Sequence, residues 1–384
     1  MPKEEPLRIA VLGAGPTGIE AALYARALGY TVTVYERGQV GEHIARWGHV
    51  RMFTPFGVNA SPLGLQTLLR EKRSKDIPAE SDLLTGRQFR DAYLAPLSES
   101  ETLIESMHPQ NLVMQVGRVT SVKKSEPDGP LPFRLLIRSA NGAERIDTAD
   151  AVLDCTGTYM SPNWLGDGVP AVGEIAARPQ LAMGLEDVLG ERRDHYAGRS
   201  IVLVGGGYSA ATTVCQLAAL AEEHPSTWVF WLTRGPRGAP LPRIANDPFK
   251  ERDKLAARAN SLATRCDANL EFHPQTVLDE VICHGPDKGF RVAGRSGGRP
   301  VSWDVERVIG AVGFRADSRI SGMLAVDEPA GRIETREPGY FILGMKSAGR
   351  DSAFLLRDGH DQVRRVFTHL TSNPRLNLYA RAAA

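Results

Sequence analysis

The sequence predicts an α/β protein built of two Rossmann-like domains of the three-layer ββα type, the second inserted in the first. Three observations predict it. A strand, a Gly-x-Gly-x-x-Gly turn, a helix and a second strand succeed one another at residues 7–37. The same series returns at residues 199–235, with alanine in place of the third glycine. Each series is then followed by a strand, a hairpin crossing over, and an apolar strand that ends at a glycine, so one supersecondary plan is used twice.

Length and charge set the outer bounds. The chain has 384 residues, enough for about two domains at roughly 100–200 residues each. Its 46 basic and 45 acidic residues are interspersed and leave a net charge of +1. No stripe suits nucleic acid and no polybasic patch suits a membrane. The densest charged stretch, "LLREKRSKD" (Leu68–Asp76), reads as a solvated helix face. No apolar run is long enough to span a bilayer. The segment "LRIAVLGAG" ends in a turn rather than a cleavage site and has no basic leader, so a cytoplasmic location is expected. Cys155, Cys215, Cys266 and Cys283 lie far apart with no Cys-x-x-Cys, which argues against a disulfide framework and a dithiol centre. The histidines show no ligand spacing, so no metal is expected.

The first series, "LRIAVLGAGPTGIEAALYARALGYTVTVYER", opens on a mostly apolar strand, as a buried parallel strand should. Gly13 permits the tight turn, Gly15 lets a pyrophosphate approach the backbone, and Gly18 lets the helix pack close to the strand. Pro16 and Thr17 begin that helix, whose N-terminus offers free N–H groups and the positive dipole end to phosphates. Glu36, followed by Arg37, closes the second strand, where a carboxylate can accept both ribose hydroxyls.

The second series has the same parts. "RSIVLV" is the strand, Gly205, Gly207 and Ala210 form the turn, and Tyr208 and Ser209 open the helix. The strand "TWVFWLTRG" ends in a basic residue, Arg234, with Arg237 after it. An arginine there pairs with a 2′-phosphate that a carboxylate would repel, which suits NADP(H) over NAD(H). The other reading makes both arginines solvated loop residues. Two nucleotide folds in one chain imply two nucleotides meeting.

The downstream copies end in "LDCTGTY" (Leu153–Tyr159) and "GAVGFRAD" (Gly310–Asp317). With these in place, the chain resembles the flavoproteins with two dinucleotide-binding domains, a superfamily of thioredoxin reductases, the glutathione reductase group and flavin-containing monooxygenases. The resemblance covers nearly the whole chain and matches the two crossover motifs at Thr156-Gly157 and Val312-Gly313. It implies an FAD-binding domain at residues 1–160 plus 310–384 and an inserted NAD(P)H-binding domain at 161–309. Val119 joins the implied cofactor contacts. The disulfide reductases of the superfamily need a Cys pair beside the flavin, and residues 41–60 and 155–230 contain none.

Near the C-terminus, "GYFILGMKSAGRDSAFLLRDGHDQVRRVF" has Gly344-Met345 where many of these flavoproteins carry Gly-Asp, the Asp on the ribityl chain of FAD; Asp351 is a candidate substitute. An apolar residue after the glycine and a glutamine on the next helix, Gln362 here, resemble the flavin-containing monooxygenases. Their Phe-x-Gly-x-x-x-His stretch is absent; His195 sits too close to the second turn, so a separately diverged branch fits better. The segment "WGHVRMFTPFGVNASPLG" (Trp47–Gly64) lies where the superfamily runs past the flavin. Asn59 is the catalytic candidate there, a neutral amide that can donate and accept. Its alternative is a loop asparagine that satisfies its own turn beside Ser61-Pro62. Trp47, Phe53 and Phe56 wall the flavin or belong to the core. "LLTGRQFRDAYLAPL" reads as a helix with Phe89, Tyr93 and Leu94 inward, Tyr93 as core in preference to a ligand contact. Arg51 and Lys346 meet an anionic group or are ordinary surface.

The resemblance implies an NADPH-oxidising, FAD-dependent monooxygenase that passes oxygen from a flavin 4a-hydroperoxide to a small amine or sulfur compound, with O2 as cosubstrate and a homodimer compatible with it. The alternative is an NAD(P)H-dependent reductase that passes electrons to a quinone, a carrier protein or an organic acceptor. A nucleotide-binding sensor without turnover is a third reading, against which the intact turns and Glu36 weigh.

Overall fold

The computed structural model describes residues 6–119, 131–236, 238–265, 269–326, 332–349, 351 and 353–382. The chain forms two compact units, Met1–Ser161 with Arg315–Ala384, and Pro162–Phe314. The first contributes β1 (Arg8–Leu12), β2 (Thr31–Tyr35), β3 (Met107–His108), β4 (Asn111–Arg118), β5 (Phe133–Ser139), β6 (Glu144–Ala149) and β7 (Ala151–Asp154). The second holds β8 (Ala182–Met183), β9 (Ser200–Val204), β10 (Trp228–Leu232), β11 (Leu270–His273), β12 (Thr276–Cys283), β13 (Phe290–Ser296), β14 (Arg299–Val305) and β15 (Arg307–Gly310). The chain then returns to the first unit for β16 (Tyr340–Ile342). The second unit keeps β15 and the turn after it, because Phe314 bridges back to Pro162.

Each unit has three layers. The first carries a parallel sheet in the order β16-β7-β1-β2-β3 and an antiparallel ribbon β4-β5-β6. The second carries β11-β10-β9-β15-β8 and β12-β13-β14. Both faces of the parallel strands are buried, and alternate residues serve opposite layers. In β1, Ile9 and Val11 pack with the helix α1 (Pro16–Ala27), while Ala10 and Leu12 pack with Val116, Phe133 and Leu135 of the ribbon. In β9, Ile201 and Leu203 face Val214 and Leu217 of the helix Tyr208–Glu223, and Val202 and Val204 face Val281 and Val292 of the second ribbon. This is why "IAVL" and "IVLV", after Arg8 and Ser200, read as unbroken apolar runs.

The expected helix at residues 83–97 forms as Gly86–Phe89, a π-turn Arg90–Leu94, and Ala95–Ser98. Phe89, Tyr93 and Leu94 are all buried. A π-turn adds a residue to one turn, which lets the last two face inward together. Within Leu68–Asp76 the helix ends at Arg70.

Candidate functional site

The Gly-rich turns lie at the C-terminal ends of the parallel strands, where ligands of open α/β sheets bind. In the first unit, Gly13 has φ +97°, and a Cβ on it would lie 2.8 Å from Cys155 O. Gly15, the helix N-cap, has no atom within 4 Å of an added Cβ, so its backbone is open to approach. No side chain caps α1, and Pro16 takes the first helical position, where its missing N–H costs nothing. The Glu36 carboxylate is fixed beneath the turn: it accepts Ala14 N–H at 2.7 Å and Gly38 N–H at 2.8 Å. Arg37 lies 3.5 Å from His43 Nε2.

The end of the chain completes this face. Gly344, at φ +72°, donates its N–H to Gln362 Oε1 at 2.6 Å, and Gln362 Nε2 donates to Ser347 Oγ at 2.7 Å. A Cβ on Gly344 would stand 3.1 Å from Thr17 Oγ1, so the C-terminal segment sits against the first turn. Met345 opens the short helix Met345–Ala348. Gly157 has no atom within 4 Å of an added Cβ, whereas the Thr156 hydroxyl is spent on Asp154 Oδ1 at 2.6 Å.

Two expectations are corrected. Lys346 is neither surface nor free for an anion: it is 3% exposed, and its ammonium donates to Asp154 Oδ2 at 2.7 Å and Asp317 O at 2.6 Å. Tyr340 donates to the same carboxylate oxygen at 2.8 Å. Val119 lies past the far end of β4. The start of β4 adjoins the nucleotide turn, Asn111 N–H on Glu36 O; its end does not, for Arg118 pairs with Glu337, ahead of β16. His108, Gln110 and Asn111 are the residues beside Glu36 and its turn.

The Trp47 ring lies against Gly86, where a Cβ would come within 2.6 Å of it. Arg51 is exposed and bridges to Thr85. Phe56 is core, packed edge-on against Phe89 and Tyr93. Asn59 is buried; its Oδ1 accepts the Thr54 hydroxyl at 2.7 Å and its Nδ2 donates to Thr54 O at 3.0 Å. That is the turn-satisfying reading of Asn59.

In the second unit, Gly205 has φ +145°, and a Cβ on it would lie 2.3 Å from Ala311 O. Gly207 is open, Tyr208 and Ser209 start the helix, and Ala210 is fully buried in the place of Gly18. Gly313, at φ +78°, follows β15 on the same side. Arg237 lies outside the described residues. Arg234 is exposed and stands 3.5 Å from Asp167.

The hydrogen bonds put the two strand ends in register and revise one comparison. Gly13 N–H binds Tyr35 O and Glu36 N–H binds His108 O. Gly205 N–H binds Leu232 O and Thr233 N–H binds His273 O. The counterpart of Glu36 is therefore Thr233, and Arg234 matches Arg37. Position in the sequence sets Arg234 against Glu36, whereas the strand register sets Thr233 there. Thr233 is 4% exposed, and its Oγ1 has no hydrogen-bond partner among the described residues. A buried hydroxyl without a partner costs about 1–3 kcal/mol, which points to an absent acceptor.

Among the described residues no group of His, Cys, Asp and Glu could hold a metal, and no helix is long and apolar enough to cross a membrane. Cys155, beside the first turn, is buried, and burial raises its thiol pKa far above the usual range. It is not a reactive thiolate.

Two parallel-sheet units, each with a Gly-rich turn at its strand ends, define an oxidoreductase built on two dinucleotide folds. The chain belongs to the pyridine nucleotide-disulphide oxidoreductase family, whose profile matches residues 7–340. Among solved structures it is similar to the bacillithiol disulfide reductase of Bacillus cereus, with 17% identity, TM-score 0.67, and coverage of 96% of this chain and 99% of that one. It is similar to the FAD-bound cadaverine monooxygenase of desferrioxamine biosynthesis from Erwinia amylovora, with 15% identity, TM-score 0.69 and coverage of 96% and 95%. It is also similar to the reduced ornithine hydroxylase of Pseudomonas aeruginosa, with 16% identity, TM-score 0.67 and coverage of 96% and 99%. No curated protein matches the sequence.

Proposed function

We propose that the chain is an FAD-dependent, NADPH-oxidising monooxygenase that acts on a small nitrogen or sulfur nucleophile. The observation that carries this reading is a pair of unlike ribose positions on like folds. The pinned Glu36 carboxylate suits the vicinal hydroxyls of an unmodified ribose. Thr233, buried and with no hydrogen-bond partner for its hydroxyl among the described residues, with Arg234 beside it, suits a phosphorylated one. The first unit would hold FAD through the Gly13–Gly18 turn, Glu36, Gly157 and the Gly344–Gln362 clamp. The second would hold NADP(H) through the Gly205–Ala210 turn, Thr233 and Arg234.

Bound FAD would supply the hydride and oxygen chemistry. The protein binds, orients and excludes water. The two helix N-termini offer N–H groups to pyrophosphates, and the Thr54–Asn59 lock holds the turn that follows Trp47. The likeness to the cadaverine monooxygenase and the ornithine hydroxylase supports O2 as the acceptor.

The test is NADPH consumption against a panel of amines, thioethers and thiols, with product and H2O2 both quantified. Oxygenated product in step with NADPH is expected. Stoichiometric H2O2 release with every compound would sink the reading. The likeness to the bacillithiol disulfide reductase favours a second reading, electron transfer to a quinone, carrier or small acceptor. Anaerobic NADPH oxidation with such an acceptor would support it.

A further inference from the structure

The same three residues turn the same corner in both units. In the first, the chain passes from β3 to β4 through His108-Pro109-Gln110; in the second, it passes from β11 to β12 through His273-Pro274-Gln275. The residues on either side differ, Ser106-Met107 against Glu271-Phe272 and Asn111-Leu112 against Thr276-Val277. The backbone matches throughout. His108 O and His273 O accept the N–H groups of Glu36 and Thr233. Gln110 N–H binds Gly38 O at 3.1 Å, and Gln275 N–H binds Gly235 O at 3.0 Å. Both glutamines have a left-handed backbone, with φ +57° and +50°.

The corner itself accounts for two of the three. Each histidine ends a strand, and the residue before a proline favours that extended backbone. The His108 ring packs on Tyr35 at 5.9 Å between centroids, and the His273 ring on Phe230 at 6.3 Å and Trp303 at 5.2 Å. Each proline lacks an N–H, so the parallel ladder stops there. The glutamine is left over. A left-handed backbone suits glycine first, then asparagine, aspartate or histidine, so the turn does not call for this side chain. Both glutamines are exposed, and neither amide makes a hydrogen bond among the described residues.

Sheet order gives the part of a ligand that reaches each corner. The strands run β7-β1-β2-β3 in one unit and β15-β9-β10-β11 in the other. A pyrophosphate at the turn after β1 or β9 puts the ribose at Glu36 or Thr233, past β2 or β10, and the base at the next strand outward. FAD and NADP(H) differ at the 2′ position and in the reactive ring, and both carry adenine. The residues that differ between the units, Glu36 and Thr233, stand where the ligands differ; the identical glutamines stand where they agree. A carboxamide sets a donor and an acceptor side by side, and adenine offers N7 and its amino group at that spacing, the pairing by which glutamine reads adenine in nucleic acids. We propose that Gln110 and Gln275 are the base-reading residues of the two units, each pairing its side-chain amide with the adenine of the dinucleotide bound there. This rests on the reading of the units as FAD and NADP(H) sites.

The experiment measures dissociation constants on the full chain as wild type, Gln110→Gly and Gln275→Gly. FAD and its hypoxanthine analogue are titrated into flavin-free protein by fluorescence quenching, and NADP+ and its hypoxanthine analogue into flavin-loaded protein by calorimetry. Hypoxanthine keeps the shape of adenine but sets O6, an acceptor, against the amide oxygen. Wild type is expected to prefer adenine about tenfold or more at both sites. Q110G is expected to lose the preference for FAD and keep that for NADP+, and Q275G the reverse. Glycine suits the left-handed backbone, so both variants are expected to melt close to wild type. Should one fail to fold, Gln→Glu at that position keeps the shape, removes the donor to N7, and is expected to lose the same preference. Equal binding of the two bases by wild type, or a preference unchanged in either variant, overturns the proposal. If wild type binds no FAD or no NADP+ in either form, the reading of that site fails and the proposal falls with it.

Discussion

Glu36 and Thr233 stand at equivalent strand ends, their N–H groups bound to His108 O and His273 O. One carries a fixed negative charge and the other a neutral donor. If Thr233 hydrogen-bonds a 2′-phosphate, Thr233→Glu removes a bond to a charged group, worth about 1.5–3 kcal/mol, and adds a like charge. NADPH is expected to lose about 10- to 100-fold against NADH, read as the ratio of the two KM values; an unchanged ratio places the discrimination elsewhere. Lys346 makes a second residue-scale prediction. It and Asp154 are fully buried and bind each other. Lys346→Met strands the carboxylate and is expected to cost about 3–5 kcal/mol in urea unfolding, with Asp154→Asn added on top restoring part of the loss. Neither residue's role was legible from its neighbours in sequence. The second helix is 16 residues against 12 in the first, so spacing from the glycine turn does not locate the strand end that identifies Thr233. The partner of Lys346 lies 192 positions away.

At the scale of elements, far more could be read directly. Both Gly-rich turns, both apolar strands and the helices after them form as expected, because local chemistry dictates them: glycine at positive φ and a run with both faces buried. The two ribbons share a register shift at the fourth residue of their first strand, between Val113 and Gln115 and between Leu278 and Glu280. No residue type marks it in common. The π-turn was equally invisible, since it depends on Tyr93 meeting Ser61 across the fold. The turns also differ in tolerance. A Cβ at Gly18 would lie 1.9 Å from Gly13 O, whereas Ala210 carries its Cβ without conflict. Gly18→Ala is expected to cost about 1–3 kcal/mol by overpacking, more than Ala210→Gly at about 0.5–1 kcal/mol. Thermal denaturation of the two variants checks the order.

For the whole molecule, buried titratable groups set opposite slopes on stability. Burial, helped by Arg46 and Arg37, lowers His43 to about 4, and burial lowers His360 to about 4. Below pH 6.5 the unfolded chain takes up these protons before the folded one does, so their contribution is whole above pH 6.5 and is lost as pH falls toward 4. Glu20 has the reverse sign. Its folded value of about 7 exceeds the ordinary 4.5, so the folded state holds the extra proton and stability declines as pH rises between the two. Stability is therefore expected to fall on the acid side of pH 6 through the histidines. His43→Gln and His360→Gln should flatten that limb in thermal melts from pH 4 to 7.

The chain leaves and re-enters the first unit at neighbouring points: Arg315 N–H binds Ser161 O at 2.8 Å, and just inside the second unit Asn163 N–H binds Gly313 O at 2.9 Å. The inserted unit thus begins and ends on adjacent rungs of one ladder. It is a cassette with both cut sites side by side, and an exchange there need span no gap. Grafting the matching cassette of an NADH-using relative between Ser161 and Arg315 should carry that relative's coenzyme preference with it and leave the flavin side untouched, as the NADH-to-NADPH turnover ratio of the chimera would record.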